Sequence, residues 1–409
     1  MAGARPGRTV RAVGAAGVLA IAAVVAWSLV TPGPGSPGST ARSAAGGPDR
    51  SPDAVAAALG GVPYLAGMRD PDGRRSGVLH HEPSVAAPGW NLYSPRYRSE
   101  AYLLDNDGRI AHRWRLESGP WQHVEPLPEG GLLALVKFDE LLRLDAASRV
   151  VWRVRGRFHH NASVDAVGRI HVLVQRPELR PELHPEVPVL VDRVEVFSPE
   201  GERLGRLSLL DLVAGSPYAS RLPAVASAEV PVESPGIDLL HANWIEVLDG
   251  RLGHRSPLFA AGNYLLSLRT PSLVLIADPV AHEVLWAWGG PPELTFQHHP
   301  TLTDDGRILI FDNGLERSRV IEVDPLTDRV VWRYQAPDLF SATRGAVQRL
   351  PNGNTLITES DRGYAFEVTP DGERVWTFAS PAFTEAGERM AVWKVARLAP
   401  GDPRLPPGL

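Results

Sequence analysis

Four histidines fall at like distances ahead of a glycine near a short apolar strand. His123 stands eight residues before Gly131, His160 eight before Gly168, His298 eight before Gly306, and His241 nine before Gly250. A neutral imidazole exchanges a proton near pH 7 and can itself attack an electrophile, so histidines gathered at one place suit nucleophilic or proton-transfer chemistry. Their neighbours are HHN at 159–161, DLLHANW at 238–244, FQHHP at 296–300, and FDNG at 311–314 followed by Arg317 and Arg319. Imidazole and guanidinium together suit a small oxyanion. The chain has no cysteine, which removes thiolate metal sites, a cysteine nucleophile and disulfides. Asp312 and Asn313 could offer two oxygens to a calcium ion, but that reading leaves the histidine spacing unexplained.

Histidines spread over some 180 residues meet only if a repeat brings them to a common axis. The repeat is present in EAYLLDNDGRIAHRW (100–114), DELLRLDAASRVVW (139–152), RVEVFSPEGERLG (193–205), LVLIADPVAHEVLW (273–286), RVIEVDPLTDRVVW (319–332) and YAFEVTPDGERVW (364–376). Each is an alternating apolar strand, a polar turn and a second strand. Trp114, Trp152, Gly205, Trp286, Trp332 and Trp376 occupy the equivalent end position, at separations of 38, 53, 81, 46 and 44 residues. Between these hairpins lies a second one, seen in GGLLALV (130–136), GRIHVLV (168–174), GNYLLSL (262–268), GRILIFD (306–312) and GNTLITE (353–359). Two hairpins make a four-stranded sheet, and four-stranded propeller blades run about 40–50 residues. The spacing predicts an all-β, six-bladed β-propeller over 100–385, with the tryptophans packed between blades and an insertion carrying a short helix at 208–236. Equivalent positions in a propeller surround the central channel, so the histidines are expected at its mouth.

Composition agrees. There are 39 Gly and 38 Pro, a content suited to turns rather than long helices, and 42 basic against 47 acidic residues give a net charge of −5, which argues against nucleic acid as a partner. Arginines 5, 8 and 11 lie in a basic segment, 1–11, ahead of an uncharged stretch at 12–30. Nineteen residues span roughly 28 Å as a helix, enough to cross a bilayer. We expect a transmembrane signal anchor there, a Gly/Pro/Ser-rich tether at 31–53, a lead-in and ring-closing segment at 54–99, and a tail at 386–409. The basic flank would leave the propeller outside the cytoplasm, tethered to the cell membrane or exported if the signal is cleaved.

Several phrases together resemble the bacterial arylsulfotransferase family: DLLHANWIEVLDG (238–250), GNYLLSLR (262–269), QHHPTLTDDGRILIFDNGLERSRVIEVD (297–324) and GAVQRLPNGNTLI (345–357). The resemblance implies an exported six-bladed propeller that moves a sulfuryl group from a phenolic sulfate ester to another phenol, without a nucleotide donor, metal or other cofactor. It assigns His241, His298 and Arg317 to catalysis. Arg317 would hold the sulfuryl oxygens, His298 would stabilise them or protonate the leaving phenolate, and His241 would take the acceptor's proton. His123, His160, His299, Asn313, Arg319 and Arg344 are the candidate substrate-binding groups, with Arg319 the alternative to Arg317. Where the resemblance implies a transiently sulfated histidine, the sequence has Gly345 within SATRGAVQ. Either His160 or His299 takes the covalent step, transfer is direct, or the chain is a lapsed envelope propeller that binds an anionic or aromatic ligand or a protein.

Overall fold

Short runs of Val, Leu and Ile broken by Asp-Gly, Asn-Gly and Ser-Pro turns form strands rather than helices, and strands dominate the computed structural model. It describes residues 75–225 and 236–409. The expected anchor at 12–30, the tether at 31–53 and the start of the lead-in lie outside the described residues. Among the described residues no helix is long and apolar enough to cross a membrane.

Six antiparallel sheets follow one another along the chain as the blades of a propeller. Their innermost strands are Val392–Leu398 in blade 1, Trp121–Leu127 in blade 2, Phe158–Val164 in blade 3, Ala242–Val247 in blade 4, His298–Leu302 in blade 5 and Ala346–Arg349 in blade 6. From Trp121–Leu127 to Ala346–Arg349 neighbouring inner strands touch in that order, Ala346–Arg349 returns to Val392–Leu398, and Lys394 of that strand pairs with Glu125 of blade 2 to complete the ring. The sheets thus reach beyond 100–385 at both ends. The tail supplies the inner strand of blade 1, beside Trp90–Pro95, and so closes the ring. The lead-in strand Gly77–His81 instead adds a fifth, outermost strand to blade 6, against Arg374–Ala379. The expected helical insertion is present as Leu209–Ala214, capped by the Ser208 side chain on the Asp211 N–H.

Apolar residues on both faces of each sheet pack against the neighbouring blades, so there is one core per blade interface. Leu103, Trp114 and Leu132 fill the gap between blades 1 and 2, and Leu309, Phe311 and Ile357 that between blades 5 and 6. The five recurrent tryptophans pack as expected and also tie their blades to the next, while blade 3 has Gly205 at that position. Trp114 Nε1 donates to Gly130 O, Trp152 Nε1 to Pro199 O, Trp286 Nε1 to Asp328 Oδ1, Trp332 Nε1 to Pro370 O, and Trp376 Nε1 crosses from the last blade to Asn106 O of the first. Each buried indole contributes large apolar area together with a satisfied N–H. Carboxamides bracket inner edges in the same way. Asn161 bonds both amide groups of Ile245, and Gln348 both of Arg397.

Candidate active site

Residues at the start of the inner strands form two tiers. In blades 2 to 5 the pairing of the inner strand with the second strand slips near its beginning, at Trp121/His123, in the stretch between Phe158 and Ala162, at Ala242/Trp244 and at His298/Thr301. An extra residue of this kind bends the strand and re-aims side chains, here at the channel. Gly89, Gly130, Gly168, Gly262, Gly306 and Gly353 lead into the second strands with positive φ, and the residues paired with the position two after each are Arg397, Pro126, Val164, Val247, Leu302 and Arg349. Four positions before them lie Trp393, Gln122, His160, Asn243, His298 and Gly345. Three positions before them lie Lys394, His123, Asn161, Trp244, His299 and Ala346.

The structure therefore corrects the single histidine position expected from glycine spacing. His160 and His298 share the upper tier, but His123 belongs to the lower one. The glycine equivalent to Gly168 and Gly306 is Gly130, with φ 72°, not Gly131. His241 precedes its strand altogether, because Gly250 lies in the connection before Tyr264–Leu268 and does not open that strand.

Three rings in the upper region are held through Nδ1. His241 Nδ1 lies 2.8 Å from Asp238 Oδ2, and Asp238 Oδ1 accepts the His241 backbone N–H at 2.8 Å. A carboxylate only accepts, so the proton sits on Nδ1 and Nε2 keeps its lone pair. Burial opposes ionisation of Asp238, which is 1% exposed, but the bonds and charge of His241 hold its pKa below the ordinary range. His298 Nδ1 faces Asn313 Oδ1 at 2.7 Å and Phe296 O at 3.0 Å. Asn313 spends its NH₂ on Ser341 O and Arg344 O, which fixes the amide orientation. His160 Nδ1 lies 2.7 Å from His159 Nδ1, and His159 Nε2 faces Asp192 Oδ1 at 3.2 Å. The His160 and His241 rings are 5.2 Å apart, edge to face.

Burial keeps the His298 and His160 rings neutral. It lowers the pKa of His298 to about 3, helped by the charges of Arg269 and His241. It pushes His160 well below its usual value, helped by His159, His241 and Lys137. A neutral His298 with its proton on Nδ1 has none on Nε2 to give. The expected role of protonating a leaving phenolate therefore does not suit this ring, and accepting a proton or attacking an electrophile does.

The basic groups beside the histidines are not those expected. Arg317 is exposed on the loop after Asn313, and its side chain makes no hydrogen bond or ion pair among the described residues. Arg319 is occupied with Asp312 Oδ2, at 2.7 Å, and with Glu293 O. Arg344 pairs with Asp361 and lies over the Trp393 ring. Instead Arg269 follows directly on the second strand of blade 4, donates its backbone N–H to His241 O, lies over the Phe296 ring at 4.4 Å and bears on His298. Lys137 holds the matching place after the second strand of blade 2 and bears on His160. The available signal was a basic residue closing the second hairpin strand. Asp238, three residues before His241 in DLLHANW, was likewise in plain sight.

Gly345 occupies the upper tier beside His298, but there is no room there for a side chain. A Cβ would lie 2.2 Å from Phe311 Cδ1, and Phe311 is fully buried between blades 5 and 6.

His123 and His299 sit lower. His299 stacks on Trp244 with ring centroids 3.7 Å apart, and His123 lies 6.4 Å from the same indole. Lys394 Nζ pairs with Glu125 at 2.7 Å, and the two rings are neutral. Burial and then Lys394 bring His123 to about 4, and the same causes push His299 well below its usual value.

No curated protein matches the chain. Among solved structures, a protein of unknown function from Bacteroides caccae aligns over 76% of this chain and 99% of its own, at 14% identity and a TM-score of 0.52. A functionally unknown protein from Desulfotomaculum acetoxidans aligns over 76% and 99%, at 10% identity and a TM-score of 0.47. The first likeness bears on the fold alone. A sequence model of the arylsulfotransferase (ASST) family matches residues 138–381, a span that holds His160, Asp238, His241, Arg269, His298 and Asn313. With more than half of its length matched in this way, the chain belongs to the arylsulfotransferase family.

Proposed function

We propose that the chain transfers a sulfuryl group from a phenolic sulfate ester to a phenol at the upper histidines. One observation carries this reading. His160, His241 and His298, from blades 3, 4 and 5, each tie down Nδ1 and leave Nε2 unbonded beside Arg269 and Lys137. Sulfuryl transfer resembles phosphoryl transfer in its dependence on in-line positioning and on positive charge around the nonbridging oxygens. Arg269 and Lys137 supply that charge. His241 Nε2 takes the proton of the acceptor hydroxyl, whose oxygen forms the new S–O bond as the old one breaks. The electron pair of the broken bond leaves with the donor phenolate, which then recovers the proton from His241. Asp238 stabilises the imidazolium formed in between.

The test is release of 4-nitrophenol from 4-nitrophenyl sulfate by a soluble fragment, with and without phenol. His241→Ala is expected to lower acceptor-dependent release about 10²–10⁴-fold, the usual worth of a positioned base, and His298→Ala to lower it as well. Wild-type turnover in both variants would refute the assignment. A second reading, a propeller that binds an anionic aromatic ligand without transferring anything, is favoured by Phe311 filling the place of a channel side chain at Gly345. Binding of 4-nitrophenyl sulfate with no release, for any acceptor, would select it.

A further inference from the structure

Asp192 stands on the third strand of blade 3, Val189–Phe197, and is fully buried. Its two oxygens serve two blades. Oδ2 accepts the backbone N–H of Ala242 at 3.0 Å, directly after His241 at the start of blade 4. Within blade 3, Oδ1 faces His159 Nε2 and accepts from Gln175 Nε2, each at 3.2 Å. A carboxylate removed from water persists only with donors of this kind on its oxygens.

His159 links Asp192 to His160. The Nδ1 atoms of the two rings lie 2.7 Å apart, so a single proton lies between them and one ring owns it. The far end of His159 decides which. A carboxylate only accepts, so His159 carries its proton on Nε2 and turns a lone pair on Nδ1 toward its neighbour. The His160 proton therefore sits on Nδ1, and Nε2 keeps its lone pair. His160 is partly exposed, and its backbone is held in the left-handed region, at φ 56°, with its N–H on Gln122 Oε1 at 2.9 Å. For a residue other than glycine that conformation costs about 1–3 kcal/mol, and what it achieves here is the aim of this ring.

We propose that Asp192 is a positioning residue for sulfuryl transfer, which acts through His159 to keep a lone pair on His160 Nε2. The His160 and His241 rings meet edge to face. An N–H on His160 Nε2 would donate to the phenol oxygen whose proton His241 takes, and would occupy the lone pair that forms the new S–O bond. A lone pair on His160 leaves that oxygen free to attack. The effect on rate rests on the sulfuryl-transfer reading, whereas the proton positions do not depend on turnover.

Nitrogen NMR of the full chain, labelled in histidine and held at neutral pH, reads the rings. In wild type the proton is expected on Nε2 of His159 and on Nδ1 of His160; the opposite pair of tautomers would overturn the proposal with no variant needed. In Asp192→Asn the Ala242 N–H, which cannot turn, keeps the amide oxygen, and the NH₂ takes the place of Oδ1. His159 Nε2 then accepts, its proton moves to Nδ1, and the His160 proton moves to Nε2. Both tautomers should reverse while His241, held by Asp238, keeps its own, a pattern that a merely structural disturbance would not produce. In turnover of 4-nitrophenyl sulfate with phenol, kcat should fall about 3–10-fold, within the worth of a single neutral hydrogen bond, with KM for phenol unchanged or lower. Unchanged tautomers in a folded Asp192→Asn, or reversed tautomers with unchanged kcat, would overturn the proposal. Expected proton positions in both proteins with no transfer by any pair of ester and phenol would refute the sulfuryl-transfer reading and leave the relay standing.

Discussion

Replacing Asp238 by Asn tests the central reasoning with little change of shape. The Asn carbonyl can still accept the His241 backbone N–H, now made by Asp238 Oδ1 at 2.8 Å. Its NH₂ would then face His241 Nδ1 where Oδ2 now lies, at 2.8 Å. A donor at that place drives the ring proton to Nε2, so the nitrogen aimed at the acceptor loses its lone pair. The charge-assisted bond itself is worth about 1.5–3 kcal/mol, or about 10–150-fold in rate at 1.36 kcal/mol per decade. Tautomer reversal in serine-protease triads costs about 10⁴, but phenols are far more acidic than serine and need less help. Between these limits we expect acceptor-dependent turnover to fall about 10²–10³-fold in Asp238→Asn, with the fold retained by thermal denaturation. Asp238 has a folded pKa below its unfolded value, so its contribution to stability is present above the unfolded pKa, about 3.9, and is lost as pH falls through the folded one. The stability gap between wild type and Asp238→Asn should therefore be steady near neutral pH and close only in acid. Nitrogen NMR of labelled histidine reports the tautomer directly. If His241 has changed tautomer while turnover stays within twofold of wild type, His241 is not the base.

Two further outcomes follow from placement. Arg269→Ala should lower turnover about 10²–10³-fold, as loss of one group stabilising developing charge commonly does, while the exposed Arg317→Ala stays within a few-fold; the reverse order would return the anion-binding role to the FDNG loop. Gly345→Ala should destabilise the fold by about 1–3 kcal/mol, because the new Cβ meets Phe311, and thermal melting with the Gly345→Ala/Phe311→Ala pair should show the two costs to be less than additive.

The recurrence of strand, turn and tryptophan sufficed to read the number of blades and the interblade packing, because both depend on local pattern and on a period. Ring closure was not legible. Val392–Leu398 and Gly77–His81 are ordinary strands in sequence, and which sheet edge each one takes depends on where the ends of the ring meet. The histidine phrases were legible as a group for the same periodic reason, while their depth was not. The inner strands of blades 2 to 5 each slip by their own irregularity, and counting along the chain cannot see such a slip.

What the sequence alone determined, then, is that there are six like units, four of which carry histidines at or just before the start of their inner strands. Only the tertiary structure decided which side chains meet: that Asp238 backs His241, that Arg269 rather than Arg317 lies beside His298, that Phe311 fills the place at Gly345, and that Asp192 backs His159. The physical reason is that repeats are specified by short-range pattern, whereas a site at the axis is made by residues from different blades, whose distances are fixed only when the ring has closed.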